Sequence, residues 1–316
     1  MNEASPHASG TSASGPLSDS QIRLMRLAGA ASVSVALTLI VLKLWAWTTT
    51  GSVALLGSLA DSLLDLIASL ITFFAVRVAT EPADREHRFG HGKSEAVAGL
   101  LQALIVSGSA FYVGFRAVVR LLSPIQISEP GIGVAIMSVS LLLTIALIVF
   151  QRYVVNTTGS IAINADAMHY KADVLTNIAV IIAIALNFYL AWYAADPLLG
   201  MLIVVLILIS VRTILGGALD VLLDRELPAA ARAMVNEIAC AHPAVLGLHD
   251  VRTRSSGRAQ FIQLHLELDP QLTLEAAHEI SDAVEARLQR EFPRAEVIIH
   301  ADPYGLAETR DSWGLD

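Results

Sequence analysis

Up to residue 222 the chain is a succession of six apolar runs, each long enough for a helix to cross a hydrocarbon layer about 30 Å thick. They cover residues 27–47, 53–78, 96–120, 132–150, 161–193 and 197–222. Glycine, proline and polar clusters separate them, as at Thr48-Thr49-Thr50-Gly51, Ser128-Glu129-Pro130-Gly131 and Ala195-Asp196-Pro197. Six crossings return the chain to the side it left, so both termini are expected on one side of the membrane. Beyond residue 222 the runs shorten and charge rises. Residues 228–242 read as a helix with Pro228 in its first turn, and 245–253 and 260–268 alternate as strands about the turn Ser255-Ser256-Gly257. An amphipathic helix over 274–292 and a strand over 296–300 follow.

These patterns predict an α-helical membrane protein: a six-transmembrane-helix bundle followed by a cytoplasmic ferredoxin-like α+β domain of order αββαβ. Residues 1–22, rich in Ser, Ala, Gly and Pro and without a hydrophobic period, are expected to form a disordered tail. The bundle then takes 23–224, a second domain 225–303, and a short tail 304–316. A core of the second domain's size is modest, which makes support from a second copy expected.

Composition agrees with a membrane. The 316 residues are 54% hydrophobic and only 16% charged, with a mean hydropathy of +0.60. A net charge of −8 argues against nucleic acid as a partner. Cys240 is the single cysteine, which excludes an internal disulfide framework and a cysteine metal cluster, and it is expected reduced in a helix core. The first apolar run begins near Leu27 without a small-residue cleavage site, so no secretory signal is expected. Arg23, Arg26, Arg85, Arg88, Lys93, Arg152 and Arg225 fall in segments on one side, with Arg116 and Arg120 the exceptions. The positive-inside rule makes that side the cytoplasm and places both termini there, in a multi-pass membrane protein.

Two polar pairs interrupt the apolar runs. Asp61 and Asp65, and His169 and Asp173, each have i, i+4 spacing and so leave one helix face about a turn apart. An aspartate at mid-bilayer costs roughly 2.5 to 3.5 kcal/mol on insertion scales. Three of them and a histidine need a partner, and a divalent cation accepts all four donors in one shell. Polar pairs that merely hold helices together are the alternative. Asp84, His87 and His91 form a second candidate set in a loop, where unliganded solvated histidines are the alternative. His249, His265, His278, His300 and Asp302 form a third in the second domain, with His300 and Asp302 spaced to share a strand face. Scattered surface histidines are the alternative there.

Two motifs fail. Gly92-Lys93-Ser94 ends like a phosphate-binding loop, but His87 stands where the earlier glycine belongs. His278-Glu279-Ile280-Ser281-Asp282 has Asp282 where a zinc-protease helix needs its second histidine.

The Asp-x3-Asp and His-x3-Asp pairs, the stretch Phe89-Gly90-His91-Gly92-Lys93-Ser94-Glu95, and the pieces Leu248-His249-Asp250-Val251-Arg252 and Ile298-Ile299-His300-Ala301-Asp302-Pro303 together resemble the cation diffusion facilitator family. The resemblance is nearest to its bacterial ferrous-iron and zinc efflux pump branch and runs from about residue 27 to 303. It implies a homodimer of six-helix protomers that exchanges a cytosolic divalent metal for protons. Asp61, Asp65, His169 and Asp173 match the family's transport site. Asp84, His87 and His91 match its loop site, which the charged neighbours Arg85, Glu86 and Arg88 are expected to weaken. His249, His265, His300 and Asp302 match its binuclear cytoplasmic site, with His278 an additional contributor. Lys93 and Asp224 match a salt bridge near the dimer interface and membrane surface. Zinc is then both cargo and structural ion, with cadmium and ferrous iron as further substrates, and Asp61, in place of histidine, points to the broader range.

Proton coupling also follows from ligand chemistry, because metal and protons compete for the same atoms. His169 offers the ligand type whose unperturbed pKa, about 6.5, lies near cytoplasmic pH. Alternating exposure by rocking helices then gives antiport. A membrane metalloenzyme and a metal sensor are the competing classes. Four protein ligands leave no open position for a catalytic water, which disfavours the enzyme.

Overall fold

The structure, a computed structural model, describes residues 18–50, 53–122, 131–190, 194–257 and 259–305. They form two compact units that meet near Arg225 in the sequence. The first holds six helices: α1 (Asp19–Thr50), α2 (Val53–Ala79), α3 (Lys93–Leu122), α4 (Gly131–Thr158), α5 (Ile161–Leu190) and α6 (Ala195–Leu222). At 27 to 32 residues and 1.5 Å per residue they run roughly 40 to 48 Å, longer than a hydrocarbon layer. That is why most of them outrun the apolar stretches read from the sequence. Helix α1 starts at Asp19, inside the stretch that composition assigned to a tail.

Among the described residues, five helices have the length and hydropathy to cross a membrane, and α5 is not among them. Its 30 residues match its neighbours, but Asp166, His169, Lys171 and Asp173 crowd its first half. Large apolar side chains face outward, including Trp45, Phe111, Phe115, Leu142 and Ile209. Small ones fill the helix contacts, among them Ala28, Ala36, Ala68, Ala98, Ala103, Ala162 and Ala218. This inversion suits a lipid solvent, where close backbone packing holds helices together. At Gly99 an added Cβ would sit 3.3 Å from Ile161 and 3.6 Å from Ala218, so α3 approaches α5 and α6 closely there. Past α6, Asp224 takes a left-handed φ of 55° and the N–H of Arg225 bonds back to the carbonyl of Asp220 at 2.8 Å, closing the helix end. The Asp224 carboxylate lies 2.9 Å from the Lys93 ammonium, the ion pair that the resemblance implied.

The second unit holds α7 (Ala229–Cys240), β1 (Gly247–Ser256), β2 (Ala259–Leu268), α8 (Leu274–Glu291) and β3 (Ala295–Pro303), the expected αββαβ order. The sheet runs β1-β2-β3. A two-residue connection makes β1 and β2 antiparallel neighbours, while α8 carries the chain over to β3, which pairs parallel to β2. Alternation assigns the two sheet faces. Ile262, Leu264, Leu266 and Leu268 meet Val297, Val284 and Leu288 in the core. Thr273 caps α8 by accepting the N–H of Ala276 at 3.2 Å. Two expectations need correction. Cys240 is exposed, because Val235 and Ala239 take the buried stripe of α7 and Cys240 lies a further 100° round the helix. Strand β3 extends past residue 300 to Pro303, because Glu267 and Asp302 still pair across the ladder.

Candidate metal sites

Helices α2 and α5 bring together Asp65, His169 and Asp173. His169 Nε2 lies 3.0 Å from Asp65 Oδ1 and 3.8 Å from Asp173 Oδ2, and the three can present ligand atoms within 4.8 Å of one another. Asp173 Oδ2 is buried without a hydrogen-bond partner, a cost that an unpaired carboxylate oxygen escapes when it ligates a cation. Asp61 lies one turn before Asp65 on α2, exposed and outside this compact group. The expected set of four is thus three close donors and one a turn away.

Beside the cluster are two groups that sequence reasoning missed. Lys43 on α1 donates to Ser62 Oγ at 2.6 Å, which brings its ammonium to the turn of α2 that follows Asp61. Asp166, one turn before His169, is fully buried. Its Oδ2 accepts from Ser32 and from Gln151, each at 2.6 Å, and its Oδ1 from Gln102 at 3.4 Å. Gln102 also donates to the carbonyl of Ala68 and to Thr72. Tyr170 adds a 2.8 Å hydrogen bond to Ser69. One polar network therefore ties α1, α2, α3, α4 and α5 together directly behind His169. A buried carboxylate inside an apolar run was its signal, but Asp166 has no i+4 acidic or histidine partner to draw the eye.

The loop between α2 and α3 brings Asp84, His87 and His91 together. Asp84 Oδ1 lies 3.2 Å from His87 Nδ1, and Oδ2 lies 3.4 Å from His91 Nε2. The N–H of His87 donates to Asp84 Oδ1 at 2.6 Å and that of Glu86 at 2.9 Å. The His87 N–H is the main reason that the carboxyl of this exposed residue is held below its ordinary range. Gly90, at φ 76°, makes the turn that returns His91 to the set.

In the second unit the sheet face opposite the core gathers His249, His265, His300 and Asp302. The β2–β3 register sets His265 against His300 and Glu267 against Asp302. Asp302 Oδ2 lies 2.7 Å from His265 Nδ1 and 3.4 Å from His249 Nε2, while Oδ1 lies 3.0 Å from His300 Nε2. His249 Nδ1 lies 3.0 Å from Glu267 Oε1, yet neither nitrogen of this ring has hydrogen-bond geometry to a partner. A ring whose two nitrogens stay without a hydrogen bond beside two carboxylates fits ion ligation. Glu267 and Asp250 were missed by sequence reasoning. The first could have been found, since it follows His265 by two and shares its face. Asp250 could not: its φ of 47° interrupts the strand alternation, so Leu248 and Val251 both reach the core while its carboxylate lies 3.8 Å from His265. His278 is not brought to this cluster. It lies exposed on α8, on the core side of the sheet, 3.6 Å from Asp282.

Long apolar helices around a histidine and carboxylate cluster define a membrane carrier for divalent cations, and the chain belongs to the cation efflux family. Residues 30–223 match the cation efflux transmembrane domain and residues 227–304 the cation efflux protein cytoplasmic domain. Among similar proteins is the cation-efflux pump FieF of Salmonella arizonae, 43% identical over 281 residues, which cover 89% of this chain and 93% of that one. FieF of Salmonella schwarzengrund is 42% identical over 287 residues, 91% and 95% of the two chains. A solved structure of the MamM CTD is 31% identical, covering 23% of this chain and 95% of that one at a TM-score of 0.23. The protein is a multi-pass membrane protein of divalent cation efflux, and its family is one of transporters, not enzymes.

Proposed function

We propose that the protein exports zinc, and with it cadmium and ferrous iron, from the cytoplasm across the bacterial inner membrane in exchange for protons. The single observation that carries this reading is the convergence of Asp65, His169 and Asp173 between two long helices of a cation efflux chain. Asp61 completes the ligand set from the preceding turn of α2. Carboxylate and imidazole donors take zinc readily and admit cadmium and iron, since affinity order alone does not select among them. Ligands must shed protons to hold the metal, so release on the outside leaves His169 and the aspartates free to take protons inward. Rocking of helix groups, with both termini cytoplasmic, exposes the cluster to one side at a time.

His249, His265, His300 and Asp302 hold a resident zinc site that braces the α+β domain, and with it a homodimer. Asp84, His87 and His91 form a weaker third site. Proteoliposomes loaded at a controlled internal pH test the transport reading. Zinc, cadmium and iron uptake should rise with an opposing proton gradient and move protons in step. Metal uptake indifferent to the gradient would refute proton exchange, and no uptake of any of these metals would refute the transport reading.

A further inference from the structure

Where α1 begins and α2 ends, a cavity of about 500 Å³ opens between them, lined by Arg23, Arg26, Leu27, Ala30, Phe73 and Arg77. Each helix contributes one stripe. Arg23, Arg26, Leu27 and Ala30 recur at i, i+3, i+4 and i+7 on α1, and Phe73 and Arg77 at i, i+4 on α2. All three guanidinium groups gather at one end, since Arg77 lies in the last turn of α2 and Arg23 in the second turn of α1. The floor is apolar, with Leu27 58% exposed. Backbones meet closely beneath it, because a Cβ on Gly29 would sit 3.2 Å from Phe73 Cα.

Neighbouring groups fix the orientation of Arg26. Arg26 donates from Nε and Nη2 to Thr80 Oγ1 at 3.2 and 3.0 Å, and Thr80 in turn donates to the carbonyl of Arg77. Arg26 is thereby oriented with a guanidinium edge to spare. Asp19 lies a turn from Arg23 on α1, and Glu81 follows Arg77 by four residues, just past the end of α2, yet among the described residues none of the three arginines forms an ion pair. Arg225 and Arg252, by contrast, each pair with a carboxylate at 2.7 Å.

We propose that this groove binds an anionic phospholipid, its phosphate held by Arg23, Arg26 and Arg77 and an acyl chain laid over Leu27, Ala30 and Phe73. Guanidinium forks match phosphate oxygens in pairs. An apolar floor continuous with helix surfaces that face lipid takes a chain that a free anion lacks, and basic pockets between helices at the cytoplasmic end are where anionic headgroups concentrate. The site is independent of the metal clusters and rests on the reading that both termini are cytoplasmic.

Native mass spectrometry of the detergent-purified protein, titrated with palmitoyl-oleoyl phosphatidylglycerol or the phosphatidylcholine of the same chains, tests it. One phosphatidylglycerol per protomer should bind at concentrations where phosphatidylcholine does not. Replacing Arg23→Gln, Arg26→Gln and Arg77→Gln together should weaken it on the order of a hundredfold, given roughly fivefold per interfacial arginine. Ala30→Trp, which keeps every charge and fills the floor, should weaken it severalfold and serves if the triple variant fails to fold. Arg85→Gln, Arg88→Gln and Arg152→Gln together remove equal charge elsewhere and should leave binding unchanged. Equal affinity for the two lipids, or equal loss in this remote triple variant, overturns the site. Displacement of the lipid by millimolar inorganic phosphate would make it a free-anion site and overturn the lipid assignment.

Discussion

Asp65, His169 and Asp173 lie between helices whose outer faces are apolar, while His249, His265, His300 and Asp302 lie on a sheet face turned away from its core. Donor chemistry is the same in both places, imidazole nitrogen and carboxylate oxygen. What differs is the freedom of the elements that carry it. In the helical unit Asp65 comes from α2 and its partners from α5, and helices packed through small side chains can slide or rock against one another. In the sheet, His265, His300 and Asp302 sit on adjacent strands in fixed register, so their spacing changes only if the ladder breaks. A cluster that can be pulled apart suits cargo; one locked by backbone hydrogen bonds suits a resident ion.

The largest effect that sharpens this contrast belongs to Asp65→Ala. It removes a close ligand and a charge that the metal neutralises, so zinc flux in proteoliposomes should fall to background with assembly retained by size-exclusion chromatography. Asp166→Ala should come next, since it strands the donors of Ser32, Gln102 and Gln151 in an apolar interior. A cost on the order of 3 kcal/mol is expected, read as a fall in melting temperature even without metal. Third, His249→Ala with His300→Ala should remove most of the metal-induced melting shift of the isolated residues 225–303. A site saturated at about a hundred times its Kd supplies roughly 2.7 kcal/mol, whereas the metal-free melting temperature should barely move, because neither ring belongs to the core.

A smaller change is expected from His169→Ala. Protons compete with metal at this ring, so affinity falls as pH falls, and the substitution should flatten that dependence in binding titrations. An unaltered slope would assign coupling to the carboxylates. Smallest of all is Asp61→His, which lowers the negative charge of a ligand a turn from the others. Zinc transport should persist and the cadmium-to-zinc flux ratio drop; an unchanged ratio would remove Asp61 from selectivity.

Much of this arrangement was legible in the chain because it rests on short periods. Spacing of i, i+4 put His169 and Asp173 on one face, and alternation put His300 and Asp302 on another. The αββαβ order followed from the same two periods. What escaped needs three dimensions. Asp166 and Gln151 meet only because α4 and α5 pack together, and Lys43 becomes a neighbour of Asp61 and Asp65 only when α1 lies on α2. Asp250 faces its cluster through a left-handed φ that no alternation pattern encodes. His278 shows the reverse limit: its residue type suggested a ligand, but amphipathic α8 places it on the far side of the sheet.

The division of labour between the two clusters is tested most directly by zinc flux through the full-length His249→Ala, His300→Ala double variant in proteoliposomes, with its dimer and melting temperature checked in the same preparation. Flux that persists at a reduced rate, where Asp65→Ala gives none, is the expected result. Complete loss of flux with the dimer and melting behaviour intact would place the sheet-face cluster in the conduction path and contradict its role as a resident brace.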